Sequence, residues 1–567
     1  MIDQLRQEIE AALERLGIAI DKPVQLERTR DLAFGDLGCN APMVYAKQAG
    51  AKPMELAENI RQTMQVDTSI VLKVSAAAPG FLNFTLADPF LHNQLRAVMG
   101  QGGNYGRSYA GAGKRALVEF VSANPTGPLT VGHGRGAVLG DTVSSILAWN
   151  GYEVEREYYY NDAGRQIRML GESVWRRTLQ MLGETVPFPE ALYQGDYISQ
   201  IAESLPRQEA AEIARNLAGE ANEELLADRK DGQAKLEYFS GHAKEVMFAS
   251  ISRTLADGLG IKFQNFVNEM DFHGSGNGAE SKIGIVLDDL RSRGLIEDRD
   301  DAIWIKAAAL DGEEDRVLVK SSGEPTYRLP DIAYHKDKIE RKFDLIVDVF
   351  GADHSDTYPD VLAALRGLDL PIDHIRVLIH QFVSLIEEGK KVKMSTRKAA
   401  FVTLDELIED VGADVVRYFF LSKVMDTPLK FDLELARKTS DDNPVYYLKY
   451  AHARMVNIIK RGAVADLGPD LSAADLSLLA LPEERTLLHL IWWFPEVVRR
   501  AGVTLEPHHI IVALEEFAKV FHRYYTVARV VTDDTAMSTA RLVLTDACRQ
   551  TLANGLAILG IEAPERM

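Results

Sequence analysis

The chain has very little cysteine: two residues, Cys39 and Cys548, in a length of 567. That excludes a disulfide framework, and no Cys/His group has the spacing of a zinc site. Long hydrophobic runs are missing too. The longest apolar stretches are strand-sized or broken by charge, short of the ~20 residues a membrane helix needs. The N-terminal MIDQLRQEIEAALERLG has no apolar signal core and no Arg/Ser-rich transit composition. Repeats and low-complexity tracts are absent. Positive charge is in deficit, with a formal net charge of −19. This does not exclude a nucleic-acid partner, because 64 Lys and Arg remain and phosphates respond to a local patch. What is left is a globular composition, 46% hydrophobic and 26% charged, in a chain too long for one core. The reading is a multidomain cytoplasmic protein.

Residues 1–100 form a first unit, in which Ile2, Leu5, Ile9, Leu13 and Leu16 follow helical spacing up to Gly17. A second helix is expected from Lys52-Pro53 to Met64, followed by β-type runs ending in Gly80–Thr85, and a glycine-rich linker at 100–113. From Arg115 the pattern alternates: strand to Val121, helix with Leu139, Val143, Ile146 and Leu147 on one face, and strand from Glu153 to Tyr160. A second strand–helix–strand unit runs through Phe343–Phe350, Tyr358–Leu365 and Ile375–Ser384. Such units imply a parallel, Rossmann-like sheet, here spanning 112–400. Residues 185–300 read as a charged, mostly helical insertion of domain size, and from Leu404 onward the pattern is helical to the end.

Two phrases carry the chemistry. Asn124-Pro-Thr-Gly-Pro-Leu-Thr-Val-Gly-His-Gly-Arg-Gly136 stands where a strand breaks into a helix. A helix N-terminus favours phosphate, and Gly132, Gly134 and Gly136 would let a nucleotide approach the backbone. His133 can donate a hydrogen bond to a phosphate. Ser122 and Asn124 sit at the carboxyl end of the strand, where open α/β sheets bind ligands. Lys393-Met394-Ser395-Thr396-Arg397 is a basic loop beyond the second unit, with Lys390 and Lys391 adding charge. Mobile cations there suit a triphosphate whose charge grows as pyrophosphate leaves.

The first phrase resembles the His-x-Gly-His signature of class I aminoacyl-tRNA synthetases, in the form seen in bacterial arginyl-tRNA synthetases, and the second resembles their Lys-Met-Ser-Lys-Ser loop. The resemblance implies a class I catalytic domain, an α+β N-terminal tRNA-binding domain, a stem-contact region at 401–440 and an all-α anticodon-binding domain at 441–567. It implies ATP with Mg²⁺, no zinc, tRNA and L-arginine as partners, a monomer, and activation that needs bound tRNA. His133, Lys393 and Thr130 would be catalytic. Gly132, Gly134, Gly136, Met394, Ser395 and Arg397 would complete the ATP site, with Arg397 standing in for the family's second lysine. Thr130 departs from the signature histidine; its hydroxyl can bond phosphate but carries no charge, and Arg135 is a neighbour able to compensate.

Tyr327 and Asp331 in Tyr-Arg-Leu-Pro-Asp-Ile-Ala-Tyr resemble the family's arginine side-chain pocket, so Asp331 is expected to take the guanidinium with Tyr327 packed beside it. Ser122 and Asn124, supported by Glu119, would hold the α-amino and carboxylate end. Asp353 and His354 in Gly351-Ala-Asp-His354 would form the rim, and Asn161–Ile167 matches a further family phrase. For tRNA, Phe34 and Asn40 in the N-terminal unit resemble the part that contacts the D-loop region. Gly412–Arg417 resembles the signature that introduces the anticodon-binding region. There Tyr446, Tyr447, Tyr450, His452 and Arg454 form an aromatic and basic cluster suited to unstacked bases, with Met567 at the matching C-terminus. A helix of this kind is expected to pack at least one of its tyrosines in the core.

Three alternatives stay open on sequence alone: a class I synthetase for another amino acid, a non-catalytic tRNA-binding descendant suggested by Thr130, and a small-molecule nucleotidylyltransferase.

Overall fold

A computed structural model describes residues 1–29, 31–274, 281–309, 314–392 and 402–567. The N-terminal unit opens with helix Ile2–Arg15, whose buried face is Leu5, Ile9, Ala12 and Leu13, and the chain turns at Gly17 with φ 75°. Helix Pro53–Thr63 covers the same core. They pack with a four-stranded antiparallel sheet ordered Leu26–Arg28, Leu37–Cys39, Phe81–Leu86, Val71–Ala77.

The central domain is a five-stranded parallel sheet. Its strands are β1 (Arg115–Phe120), β2 (Glu153–Tyr160), β3 (Asn265–Asn268), β4 (Leu345–Gly351) and β5 (Ile375–His380), in spatial order β5-β4-β1-β2-β3. Helix α1 (Val131–Trp149) joins β1 to β2 and is buried along most of its length. Strand order reverses between β1 and β4, so the carboxyl edge there is the expected ligand crevice.

Between β2 and β3 stands a helical body with its own core around Leu170, Val174, Trp175 and Phe239. It is built from α2 (Gly164–Met181), α3 (Asp196–Ser204) and helices Arg207–Asn216 and Gly232–Arg253. Strand β3 lies inside the stretch read as insertion yet belongs to the main sheet. Helix α4 (Arg328–Glu340) precedes β4.

The C-terminal part is not purely helical. Leu429–Asp432 pairs in parallel with Val383–Glu387, because Leu429 and Phe431 are buried while Lys430 faces solvent. A four-residue alternation is too short to stand out between helices. Helices α5 (Ala413–Leu421), α6 (Pro444–Val464), α7 (Pro482–Thr504), α8 (His508–Val527) and α9 (Thr535–Leu559) complete the chain. Arg417 on α5 is buried and ties three parts together: it donates to Asp141 on α1 (2.6 Å), to the Leu259 carbonyl (3.0 Å) and to the Leu559 carbonyl (2.8 Å). No helix among the described residues is long and apolar enough to cross a membrane.

Candidate active site

All five strands deliver polar residues to one edge. At the end of β1, Glu119 accepts from the Ser122 hydroxyl (2.7 Å) and from Lys338 Nζ (2.5 Å), so it supports Ser122 rather than facing the crevice. Asn124 Oδ1 accepts from the Asn161 amide (2.9 Å), which joins the ends of β1 and β2.

Thr130 is the N-cap of α1. Its hydroxyl accepts from the His133 amide (3.4 Å), and its own amide donates to His133 Nδ1 (3.2 Å). A backbone N–H only donates, so Nδ1 carries no proton and Nε2–H is left as the donor. His133 keeps an accessible face, but surrounding protein desolvates the ring and lowers its pKa; the Asp353 charge opposes this. The imidazole is therefore neutral at pH 7. Asp353 and His354 are exposed at the end of β4, and His354 stacks on Phe350 (5.1 Å between ring centroids).

The three glycines of the first phrase do different work. Only Gly132 is open around its Cα. A Cβ at Gly134 would come within 2.5 Å of Leu404, and one at Gly136 within 2.9 Å of His380. Those two serve close internal packing, not nucleotide approach. Arg135 does not compensate for Thr130. It is buried, and its guanidinium is spent on the carbonyls of Gln381 (2.6 Å), Thr427 (3.0 Å) and Val424 (3.2 Å).

Lys393, Met394, Ser395 and Arg397 lie outside the described residues. The chain beyond them meets the first phrase directly: Thr403 bridges Thr130, and the Leu404 amide donates to the Leu129 carbonyl (2.8 Å).

Asp331, on α4, has no hydrogen-bond or ion-pair partner for its carboxylate among the described residues. Burial, joined by Glu119 and Glu269, pushes its pKa up to about 7 against the opposing pull of His335 and Lys338. Tyr327 does not pack beside it. Standing at the N-cap of α4, it is 74% exposed. The sequence reading missed Glu269. It follows β3, accepts from Tyr159 Oη (3.1 Å) and Asn161 Nδ2 (2.8 Å), and has no Lys or Arg partner among the described residues. Burial raises the Tyr159 pKa, and Glu269 and Asp331 raise it further, so both carboxylates bear on one ring. The available signal was an acid directly after a strand end, a placement visible only once β3 is assigned to the sheet.

Away from the crevice, Phe34 is 62% exposed, and Asn40 is exposed and makes no capping bond. On α6, Arg454 bonds Tyr450 Oη (2.8 Å) and His522 Nδ1 (2.9 Å), and lies over the Tyr450 and Tyr525 rings. Tyr447 packs on His522 (4.4 Å). None of Tyr446, Tyr447 and Tyr450 is fully buried, and Tyr447 is the one packed against the hydrophobic core. His452 differs: it is buried, with Nδ1 against the Pro564 carbonyl (2.9 Å), and is closed to an incoming base. His522 and Tyr525, on α8, were not foreseen because only folding sets them beside α6. Met567 is exposed.

Family models match along the chain: "Arginyl tRNA synthetase N terminal domain" over 3–86, "tRNA synthetases class I (R), catalytic domain" over 94–418 and "DALR anticodon binding domain" over 448–567. Among curated proteins the chain is similar to the arginine–tRNA ligase of Chlorobium limicola, 45% identical over 99% of this chain and 98% of that one. The arginine–tRNA ligase of Desulfotalea psychrophila is 44% identical over 94% and 93%. Among solved structures, the arginyl-tRNA synthetase of Thermus thermophilus matches the fold with TM-score 0.77 at 23% identity, covering 100% of both chains. That of Plasmodium falciparum matches with TM-score 0.74 at 17% identity, covering 100% of this chain and 99% of that one.

Proposed function

The chain belongs to the arginyl-tRNA synthetases of class I and is an arginine–tRNA ligase, and from that premise we propose how its residues divide the work. Its substrates are arginine, ATP and tRNA.

Asp331 and Glu269 receive the arginine guanidinium. A guanidinium has five N–H donors, more than one carboxylate can satisfy, so two acids without a Lys or Arg partner among the described residues suit it. Ser122 and Asn124 hold the α-amino and carboxylate end, with Glu119 fixing Ser122. The observation that carries this reading is the unpartnered Asp331 carboxylate, held in a protein-lined recess with its pKa raised to about 7.

ATP lies along the first turn of α1. Gly132 gives access, His133 donates from Nε2–H to phosphate, and Lys393, Ser395 and Arg397 supply cation and hydroxyl. The Thr130–Thr403 bridge supports this arrangement, because it brings the chain to the His133 helix six residues beyond Arg397. Magnesium comes with the triphosphate; among the described residues no cluster of His, Cys, Asp or Glu offers it a protein cage. The arginine carboxylate attacks the α-phosphorus, pyrophosphate leaves, and the terminal adenosine hydroxyl of tRNA then takes the arginyl group. Positioning and charge stabilisation suffice for both steps.

Phe34 and Asn40 meet the tRNA D-loop region. The α6–α8 cluster of Tyr447, Tyr450, Arg454, His522 and Tyr525 meets unstacked anticodon bases. The enzyme works as a cytoplasmic monomer.

The test is ATP–pyrophosphate exchange with tRNA present, run with Asp331→Asn. The arginine KM should rise about a hundredfold while tRNA affinity holds. Unaltered arginine kinetics would overturn the pocket assignment.

A further inference from the structure

We propose that the helical insertion sets the geometry of the reaction through Tyr197, a positioning residue that holds the Ala123–Leu129 loop for adenylate formation. The inference rests on the site reading above, in which this loop joins the holders of arginine (Ser122, Asn124) to the holders of ATP (Thr130, His133).

The loop's two ends are fastened chiefly from within the catalytic domain and the segment after it, with Gln166 Oε1 on α2 also accepting from Asn124 Nδ2 (3.1 Å). At the first end, Tyr158 Oη donates to the Ala123 carbonyl (2.7 Å) and the Asn161 amide to Asn124 Oδ1 (2.9 Å). At the second, the Leu404 amide donates to the Leu129 carbonyl (2.8 Å). The tip, Pro125-Thr126-Gly127-Pro128, has no such support among the described residues.

Its bond from outside, among the described residues, comes from the insertion. Tyr197 Oη donates to the Thr126 carbonyl (3.0 Å). The insertion is shaped for this contact. Tyr197 opens α3, and a Cβ at Gly195 would lie 2.5 Å from its ring, so a glycine there lets the ring fold back. The Tyr193 amide is fixed by Ser173 Oγ on α2 (3.0 Å). Fit on the loop side is equally close: a Cβ at Gly127 would sit 3.2 Å from Tyr197 Oη. Burial, with Tyr193 nearby, raises the Tyr197 pKa, so its hydroxyl stays a donor throughout the working pH range.

Displacing this loop changes the alignment of carboxylate and α-phosphorus more than it changes the binding of either reactant. The expected signature is therefore a loss in kcat, with arginine and ATP KM values nearly unmoved.

The test is tRNA-supported ATP–pyrophosphate exchange with Tyr197→Phe, Gly127→Ala and the double variant, alongside thermal unfolding. Tyr197→Phe keeps the ring packed and removes only the donor. We expect kcat to fall about tenfold, both KM values to stay within about threefold, and Tm to stay within a few degrees. Gly127→Ala should lower kcat by crowding the hydroxyl, and its effect should shrink sharply once Tyr197→Phe removes that hydroxyl. Unaltered kcat in Tyr197→Phe would overturn the inference, as would single effects that simply multiply in the double variant. Failure of the underlying site reading shows separately, as unaltered arginine kinetics in Asp331→Asn.

Discussion

Two groups of carboxylates stand side by side near the carboxyl edge of the sheet, and the fold treats them oppositely. In the first group, Glu119 and Asp348 share Lys338 Nζ (2.5 and 2.6 Å), and Asp348 also faces His335 Nε2 (3.1 Å). Glu157 takes both Arg341 nitrogens (2.5 and 2.7 Å) and Tyr334 Oη (2.7 Å). Burial works against the Lys338 charge, yet Asp348 and Glu119 outweigh it and raise its pKa. Burial likewise pushes the Asp348 pKa up, but Lys338 and His335 reverse the direction and leave it lowered. In the second group, Asp331 and Glu269 have no Lys or Arg partner among the described residues, and the Asp331 pKa rises to about 7. The fully buried acids are each given a cation, and among the described residues the partly buried pair is not. Where the acids serve the fold, the chain supplies the cation; where it does not, the proposed source of the cation is the substrate.

Removing the internal cation should have the largest effect. Lys338→Met leaves two acids in a dry site without compensation and should cost about 3–5 kcal/mol of stability, read as a lower midpoint in denaturant or thermal unfolding. An unchanged midpoint would mean the first group is not a structural unit.

Asp331→Asn should do the reverse. Stability should hold or rise, because an uncompensated buried acid is gone, while the arginine KM in the exchange assay should rise about a hundredfold, roughly 3 kcal/mol. Glu269→Gln keeps an acceptor for Tyr159 but loses charge. Its arginine KM should rise about tenfold, and a loss confined to Tm would remove Glu269 from the pocket.

Outside both groups the smallest effect is expected. Thr130→Ala should cost about 1 kcal/mol for the lost helix cap. The kcat should change less than about tenfold, since the Thr130 backbone amide still holds His133 Nδ1 (3.2 Å) when the hydroxyl, 3.3 Å from the same nitrogen, is lost. A larger fall in kcat would give the Thr130 hydroxyl a chemical role.

The sequence was most informative where chemistry repeats a local pattern. The alternation from Arg115 to Tyr160 is that of β1, α1 and β2, and Ser122, Asn124, His133 and Asp331 all fall at one edge of the sheet. It was least informative where function depends on contacts between distant segments. Gly134 and Gly136 look like phosphate glycines until Leu404 and His380 are seen against them. Arg135 reads as a free cation, but three carbonyls from 381–427 occupy it. Tyr327 and His452 share their phrases with pocket and helix residues, yet one is left in solvent and the other is buried under the C-terminal tail. Spacing fixes neither burial nor partner.

The central claim, that Asp331 waits for the guanidinium, is tested most directly by the pH dependence of the arginine KM, measured for the wild type and Asp331→Asn. The carboxylate must be ionised to pair, and the guanidinium stays charged throughout. As pH falls through about 7 the wild-type acid takes up a proton and its arginine KM should rise, approaching tenfold per pH unit, while the variant's KM stays high and flat. Parallel profiles for the two proteins would contradict the account.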